Sequence, residues 1–229
     1  GVPPTMIISR HILTGLALST LLLAGCTSQV TQQDQFSGFL PGYDGLQEVK
    51  TASGETVLGW QAPGFKPGAY DTVVFKGLQQ YPAPKPDERV NLQTLQQIQS
   101  YANTSVKKAL SKHFTVVSSP SAAPKGARVL ILNAAMTGVS ASNEGMQWYN
   151  VIPASAVISG VQVATGTRDQ DTLLFIEAFM VDAATGQPVA KRVRKVFGTQ
   201  LDNDKEAISA DDFKASIDKV TSDLSASMK

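Results

Sequence analysis

Asp171-Thr-Leu-Leu-Phe-Ile-Glu177-Ala-Phe-Met-Val181 and, after a short turn, Pro188-Val-Ala-Lys191-Arg-Val-Arg-Lys195-Val-Phe-Gly-Thr-Gln200 form the stretch that decides how this chain folds. Both runs are rich in β-branched and aromatic residues, which suit a pleated, half-buried surface. Between them Asp182-Ala-Ala-Thr185-Gly186-Gln187 is short and polar, and Gly186 can take a positive φ, so the runs close as an antiparallel hairpin. Setting Asp182 opposite Gln187 sets Glu177 opposite Arg192. An acid within Phe175-Ile-Glu177-Ala-Phe179 needs a partner wherever that face is covered, and a structural pair is read ahead of a catalytic acid. On the second strand Lys191, Val193 and Lys195 point one way, Arg192 and Arg194 the other. This basic run reads either as a solvated edge that resists pairing with another sheet or as a contact for anionic headgroups, peptidoglycan or an acidic partner, with Lys191 and Lys195 the candidate residues.

Working outward toward the N-terminus, Arg128 to Val139 is a central strand, apolar on both faces around Val-Leu-Ile-Leu132, and Ser140 to Gly145 is polar and flexible. Within 148–167, Ile152 to Ile158 opens a short helix ending near Gly160, with a strand over Val157 to Val163 as the alternative. Phe114 to Ser118 is a short strand and Ser119 to Gly126 a loop. From Asn91 the period becomes helical. Leu92, Leu95, Ile98, Tyr101, Ala102, Val106, Ala109 and Leu110 share one face from an asparagine cap to near His113. Pro82, Pro84 and Pro86 impose an extended loop. Tyr70 to Leu78 is a strand, Pro63 to Gly68 a turn cluster, and Glu55 to Gln61 a short strand whose Trp60 is a packing anchor. Ser37 to Tyr43 is too apolar for a linker and too broken for a helix, so it reads as an irregular arm. Toward the C-terminus, Leu201 to Ser209 is a charged loop, and Ala210 to Asp212 opens a last helix with Phe213, Ile217, Val220 and Leu224 on one face. Two one-sided helices laid on such strands define an α+β fold: a two-layer sandwich with a mainly antiparallel sheet, its arm closing an edge or crossing the open face.

At the other end, Ile12 to Leu23 is an apolar run of about a dozen residues after a positive head at Arg10, the length of a secretory signal and short of the roughly 20 needed to span a bilayer. Leu23-Ala24-Gly25-Cys26 closes it and resembles the bacterial lipoprotein box. That resemblance implies cleavage between Gly25 and Cys26 and a diacylglyceryl group on the Cys26 sulfur. Cys26 is the sole cysteine, which rules out an internal disulfide. By the same resemblance Thr27 points to the outer membrane, with the mature domain in the periplasm. The organisation read here is a signal over 1–25, with Gly1 to Thr5 a non-native leader, a tether over 26–36 and one domain over 37–229. Loss of Arg10 brings the 20 basic residues level with the 19 acidic ones, so there is no electrostatic footprint for nucleic acid.

No catalytic, cofactor or metal constellation stands out. His11 leaves with the signal. His113 falls at a helix end, where capping or exposure is its role. Asp169 and Asp171 stand in a turn-rich stretch and read as solvated. Gly64 to Gly68 lacks the lysine and following helix of a phosphate loop. Trp148 and Tyr149, beside Met146, are further candidates for surface contact, because exposed apolar clusters usually meet something.

Several pieces together resemble one group of bacterial envelope lipoproteins, domain of unknown function 3313: Cys26, Ser37-Gly38-Phe39-Leu40 with Tyr43, Tyr70-Asp71, Ile152-Pro153, and Glu177 ahead of Asp182-Ala-Ala-Thr-Gly186. The resemblance implies an envelope compartment and a single domain, and it supplies no reaction, cofactor or site residue. The expected function is a membrane-anchored, non-catalytic binding or scaffold module that docks envelope proteins. The alternatives are a carrier or sensor for a small apolar ligand, which requires a cavity between helices and sheet, and a carboxylate-based enzyme.

Overall fold

The computed structural model describes residues 29–84, 91–143, 170–202 and 206–229. In chain order these form β1 (Gln47–Lys50), β2 (Thr56–Gln61), β3 (Thr72–Phe75), β4 (Gln79–Gln80), α1 (Leu92–Leu110), β5 (Thr115–Val117), β6 (Val129–Asn143), β7 (Gln170–Asp182), β8 (Pro188–Phe197) and α2 (Lys214–Ser227). The strands join in one sheet of order β1-β2-β8-β7-β6-β3-β5, with β4 also paired to β6. From β1 through β6 every neighbouring pair is antiparallel. The other end of the sheet is parallel, since β3 pairs with both β5 and β6, and β4 with β6. The fold is α+β with a mixed, mostly antiparallel sheet. The parallel end follows from α1, which provides the crossover that parallel neighbours require.

Local chemistry explains the helix boundaries. Asn91 accepts a hydrogen bond from the Thr94 amide at 2.8 Å, so α1 starts at its expected cap,. It stops at Leu110, short of His113, and Phe114 turns back into the core at the entrance to β5. Ser209 and Asp212 form a capping box around a single 3-10 turn, Ala210–Phe213, which leads into α2,. Leu95, Ile98, Phe213 and Ile217 from this helical layer pack with Ala134, Met136, Leu174 and Val196 of the sheet. A second cluster joins Leu110, Phe114 and Met228 to Val73, Phe75, Leu130, Leu132 and Met180.

Several expectations need correction. The segment from Ser140 is no flexible loop: β6 runs to Asn143 because β7 accompanies it to Gln170, and Ser140 is buried. β1 was not foreseen, having one apolar residue, Val49. It forms because the Thr51–Glu55 turn, with Gly54 at φ 86°, folds it onto β2. The strand expected over Tyr70 to Leu78 is shorter, β3 ending at Phe75 before Gly77 (φ 118°), and β4 follows beyond Leu78. Leu201 and Ile208 anchor the charged loop by burying their side chains. The second half of the expected tether is structured, with Thr31 buried and a 3-10 turn over Gln33–Gln35.

The hairpin register also shifts. Val181 pairs with Pro188 but Met180 pairs with Ala190, so Val189 is an extra residue, and its carbonyl accepts the Ala62 amide at 2.9 Å,. In consequence Glu177 faces Val193, not Arg192.

Candidate functional site

Because paired residues share a face, the register sends Lys191, Val193 and Lys195 to the side of Phe175, Glu177 and Phe179, and Arg192 and Arg194 to the side of Ile176 and Ala178,. The second side carries α1 and α2. Between them and the sheet lies a cavity of about 320 Å³. Its walls include Val57, Leu132, Leu174, Ile176 and Val220. Three of the residues that line it, Ala102 of α1, Ala134 of β6 and Ala178 of β7, are small and leave room between the layers.

Polar groups gather at one side of this cavity. Arg194 donates to Asp223 of α2 at 2.8 Å and to Glu55 at 2.7 Å, and Lys219 reaches Glu55 at 3.0 Å. The backbone amide and hydroxyl of Ser53 donate to the same Asp223 carboxylate at 2.8 and 2.7 Å. Arg194 and Asp223 are 9% and 7% exposed, so this pair is desolvated and its hydrogen bonds are obligatory,. Burial by itself raises the Asp223 carboxyl; the bonds from Ser53 and Arg194 outweigh it and hold the pKa below the ordinary value,. Glu55 is lowered in the same way, burial being outweighed by Lys219 and Arg194.

Arg192 lines the cavity two residues earlier. Its guanidinium lies over Gly59 of β2, where an added Cβ would sit 2.5 Å from Nη1. It donates to the Lys191 carbonyl at 3.0 Å, and among the described residues it makes no ion pair with a carboxylate. Burial lowers its pKa.

The opposite face is closed by the arm. Glu177 is 1% exposed; it accepts the Ser37 amide at 2.9 Å and the Tyr43 hydroxyl. Tyr43 accepts the Gly38 amide at 2.8 Å and stacks on Phe36. Burial, then the hydrogen bond to Glu177, raises the Tyr43 pKa. Phe39 packs on Phe179 and Tyr81, so the arm crosses the sheet. Lys191 lies 5.0 Å from the Trp60 ring, consistent with Trp60 as an anchor, and Lys195 lies 5.6 Å from the Phe175 ring. Burial pushes the Lys195 ammonium down to about 8,.

The edge reading of the basic run is therefore overturned: β8 lies between β2 and β7. Lys195 is 3% exposed, which removes it as a surface contact, and Lys191 is half-buried. Gly25, Cys26, Trp148, Tyr149 and Asp169 lie outside the described residues, as does the stretch 148–167. Asp171 stands on β7 and accepts from Gln200 at 2.9 Å, and His113 Nε2 lies 3.1 Å from Ser225 Oγ. Among the described residues, no group of three or more His, Cys, Asp or Glu is placed to hold a metal, and no helix is long and apolar enough to cross a membrane. Sequence reasoning missed Asp223, Ser53 and Glu55. The available signal was that two arginines aimed at a helical layer demand a carboxylate from it, and α2 offers Asp218 and Asp223.

The chain is 40% identical over 203 residues, 89% of each chain, to the uncharacterized lipoprotein YdcL of Escherichia coli K12, and equally to that of Escherichia coli O157:H7. Among solved structures it is similar to a putative neuraminyllactose-binding hemagglutinin homolog from Helicobacter pylori (9% identity, TM-score 0.43, covering 79% of this chain and 92% of that one). It is also similar to the PelC dodecamer from Paraburkholderia phytofirmans (14% identity, TM-score 0.35, covering 74% and 96%). The model of the family described as protein of unknown function DUF3313 matches residues 35–224, and the chain belongs to that family.

Proposed function

We propose that this protein is a non-catalytic binding lipoprotein, held through an acylated Cys26 on the periplasmic side of the outer membrane, that keeps a small apolar ligand between its helices and sheet. The anchor rests on Leu23-Ala24-Gly25-Cys26 and on the lipoprotein relatives. The ligand reading is carried by one observation, the cavity of about 320 Å³ walled by aliphatic side chains, within the roughly 300–1,000 Å³ of small-molecule sites. A docking surface built on Lys191 and Lys195 has less to offer, because Lys195 is buried.

The test is mass spectrometry of the non-covalent organic extract from the full chain purified out of membranes, beside Ala134→Leu, which fills the cavity. About one equivalent of an apolar molecule in the wild type and its loss in the variant are expected; identical extracts overturn the ligand reading. Separately, Cys26→Ser is expected to leave the membrane fraction and lose radioactive palmitate, and retained label overturns the anchor.

A further inference from the structure

The run Lys191-Arg-Val-Arg-Lys195 places four cations on the hairpin, and three have their charge accommodated. Lys191 and Lys195 sit against aromatic rings, and Arg194 has two carboxylates. Among the described residues Arg192 has only a neutral carbonyl. A guanidinium offers five N–H donors in a planar fork, and half-burying it, as Arg192 is, without an anion costs free energy,. Gly59 of β2 gives it room, since a Cβ there would stand 2.5 Å from Nη1 and 2.9 Å from Cζ in this rotamer. The same cavity side holds Arg194 Nε, a buried donor without a partner among the described residues.

We infer that the cavity takes a single-chain amphiphile with a compact anionic head, its tail among Ala102, Ala134 and Ala178 and its head on the Arg192 guanidinium. This rests on the reading of the cavity as a ligand site and adds the ligand's chemistry. A carboxylate or phosphate matches the fork with two parallel hydrogen bonds, which a lysine cannot supply. Val49 of β1 lies beside Arg192 on the cavity wall, its Cγ2 3.0 Å from where a Cβ on Gly59 would stand. The head therefore sits against β1 and β2, and the tail runs inward. At about 30 Å³ for each water-sized group, the cavity of about 320 Å³ holds a tail of roughly ten carbons.

The experiment is equilibrium dialysis of radiolabelled dodecanoate, dodecyl phosphate and dodecanol against the full chain in phosphatidylcholine nanodiscs, with empty nanodiscs subtracted. One saturable site per chain is expected, with at least one anion bound about tenfold or more tighter than the alcohol, as a charged bidentate contact implies. Whichever anion is preferred identifies the head as carboxylate or phosphate. Arg192→Gln is expected to remove the preference while leaving dodecanol binding intact. Arg192→Lys keeps the charge without the fork and is expected to fall between, which covers a Gln variant that does not fold. Equal binding of all three probes, unaffected at Arg192, overturns the anionic head and leaves the apolar cavity reading standing. No saturable binding of any probe overturns both.

Discussion

The two faces of the β7–β8 hairpin solve the same electrostatic problem in different ways. On the helical face Arg194 is neutralised by carboxylates drawn from α2 and the β1–β2 turn, at 2.8 and 2.7 Å. On the arm face Lys191 and Lys195 meet aromatic rings, and Glu177 spends its hydrogen bonds on the arm. The helical face thus fixes charge with charge and holds the β1–β2 turn to α2. The arm face uses a carboxylate as a latch and leaves a lysine in a poorly solvated place. Buried ion pairs and cation–π contacts differ in how they respond to loss of a partner, so the faces separate experimentally.

The largest effect is expected from Asp223→Ala, which strands the buried Arg194 and frees Ser53. A loss of about 3–5 kcal/mol in urea unfolding is expected. Asp223 and Glu55 have folded pKa values below their ordinary ones. Their contribution is therefore present above the ordinary carboxylate pKa near 4 and disappears as pH falls through the folded values. Asp223→Ala is expected to flatten that acid limb. If the limb is unchanged, the charge network does not hold this face.

Glu177→Ala leaves the Ser37 amide and Tyr43 hydroxyl without their acceptor and is expected to cost about 3 kcal/mol. Hydrogen exchange should quicken at Ser37, Gly38 and Leu40 while α2 stays protected. Uniform quickening on both faces would remove the distinction between latch and network.

Lys195 supplies a pH signature of the opposite sign. Its folded pKa is about 8 against an ordinary 10.5. Between those values the unfolded chain binds the extra proton, so stability rises with pH, by about 2 kcal/mol from pH 7.5 to 9.5. Lys195→Met should abolish that slope in denaturant titrations; a slope that persists assigns it to another group. Smallest is Tyr43→Phe, which deletes one donor to Glu177 and is expected to cost about 1 kcal/mol, with the Phe36 stack retained.

Much of the architecture was legible because it is periodic. The hairpin, the Asn91-capped α1 and the Phe213, Ile217 face of α2 follow from spacings of two and 3.6 residues, and all three formed. β1 has no such period and exists only because β2 is beside it. The Arg194–Asp223 pair joins residues 29 apart in sequence through a helix placement that no local pattern encodes. The cavity is an absence of volume at Ala102, Ala134 and Ala178, and each alanine alone reads as an ordinary core residue. The basic run was recognised, but its edge placement was wrong because strand order is a tertiary property.

The bulge at Val189 decides which cations meet the cavity. Were Val189 to enter the ladder opposite Met180, the hairpin would pair Glu177 with Arg192, and by the two-residue period of a strand both arginines would turn to the arm while Lys191 and Lys195 turned to the helices,. A one-residue slip of register thus exchanges the chemistry of the two faces without altering composition or net charge. The one residue left out of the ladder is therefore what parts the arginines from the lysines across the sheet.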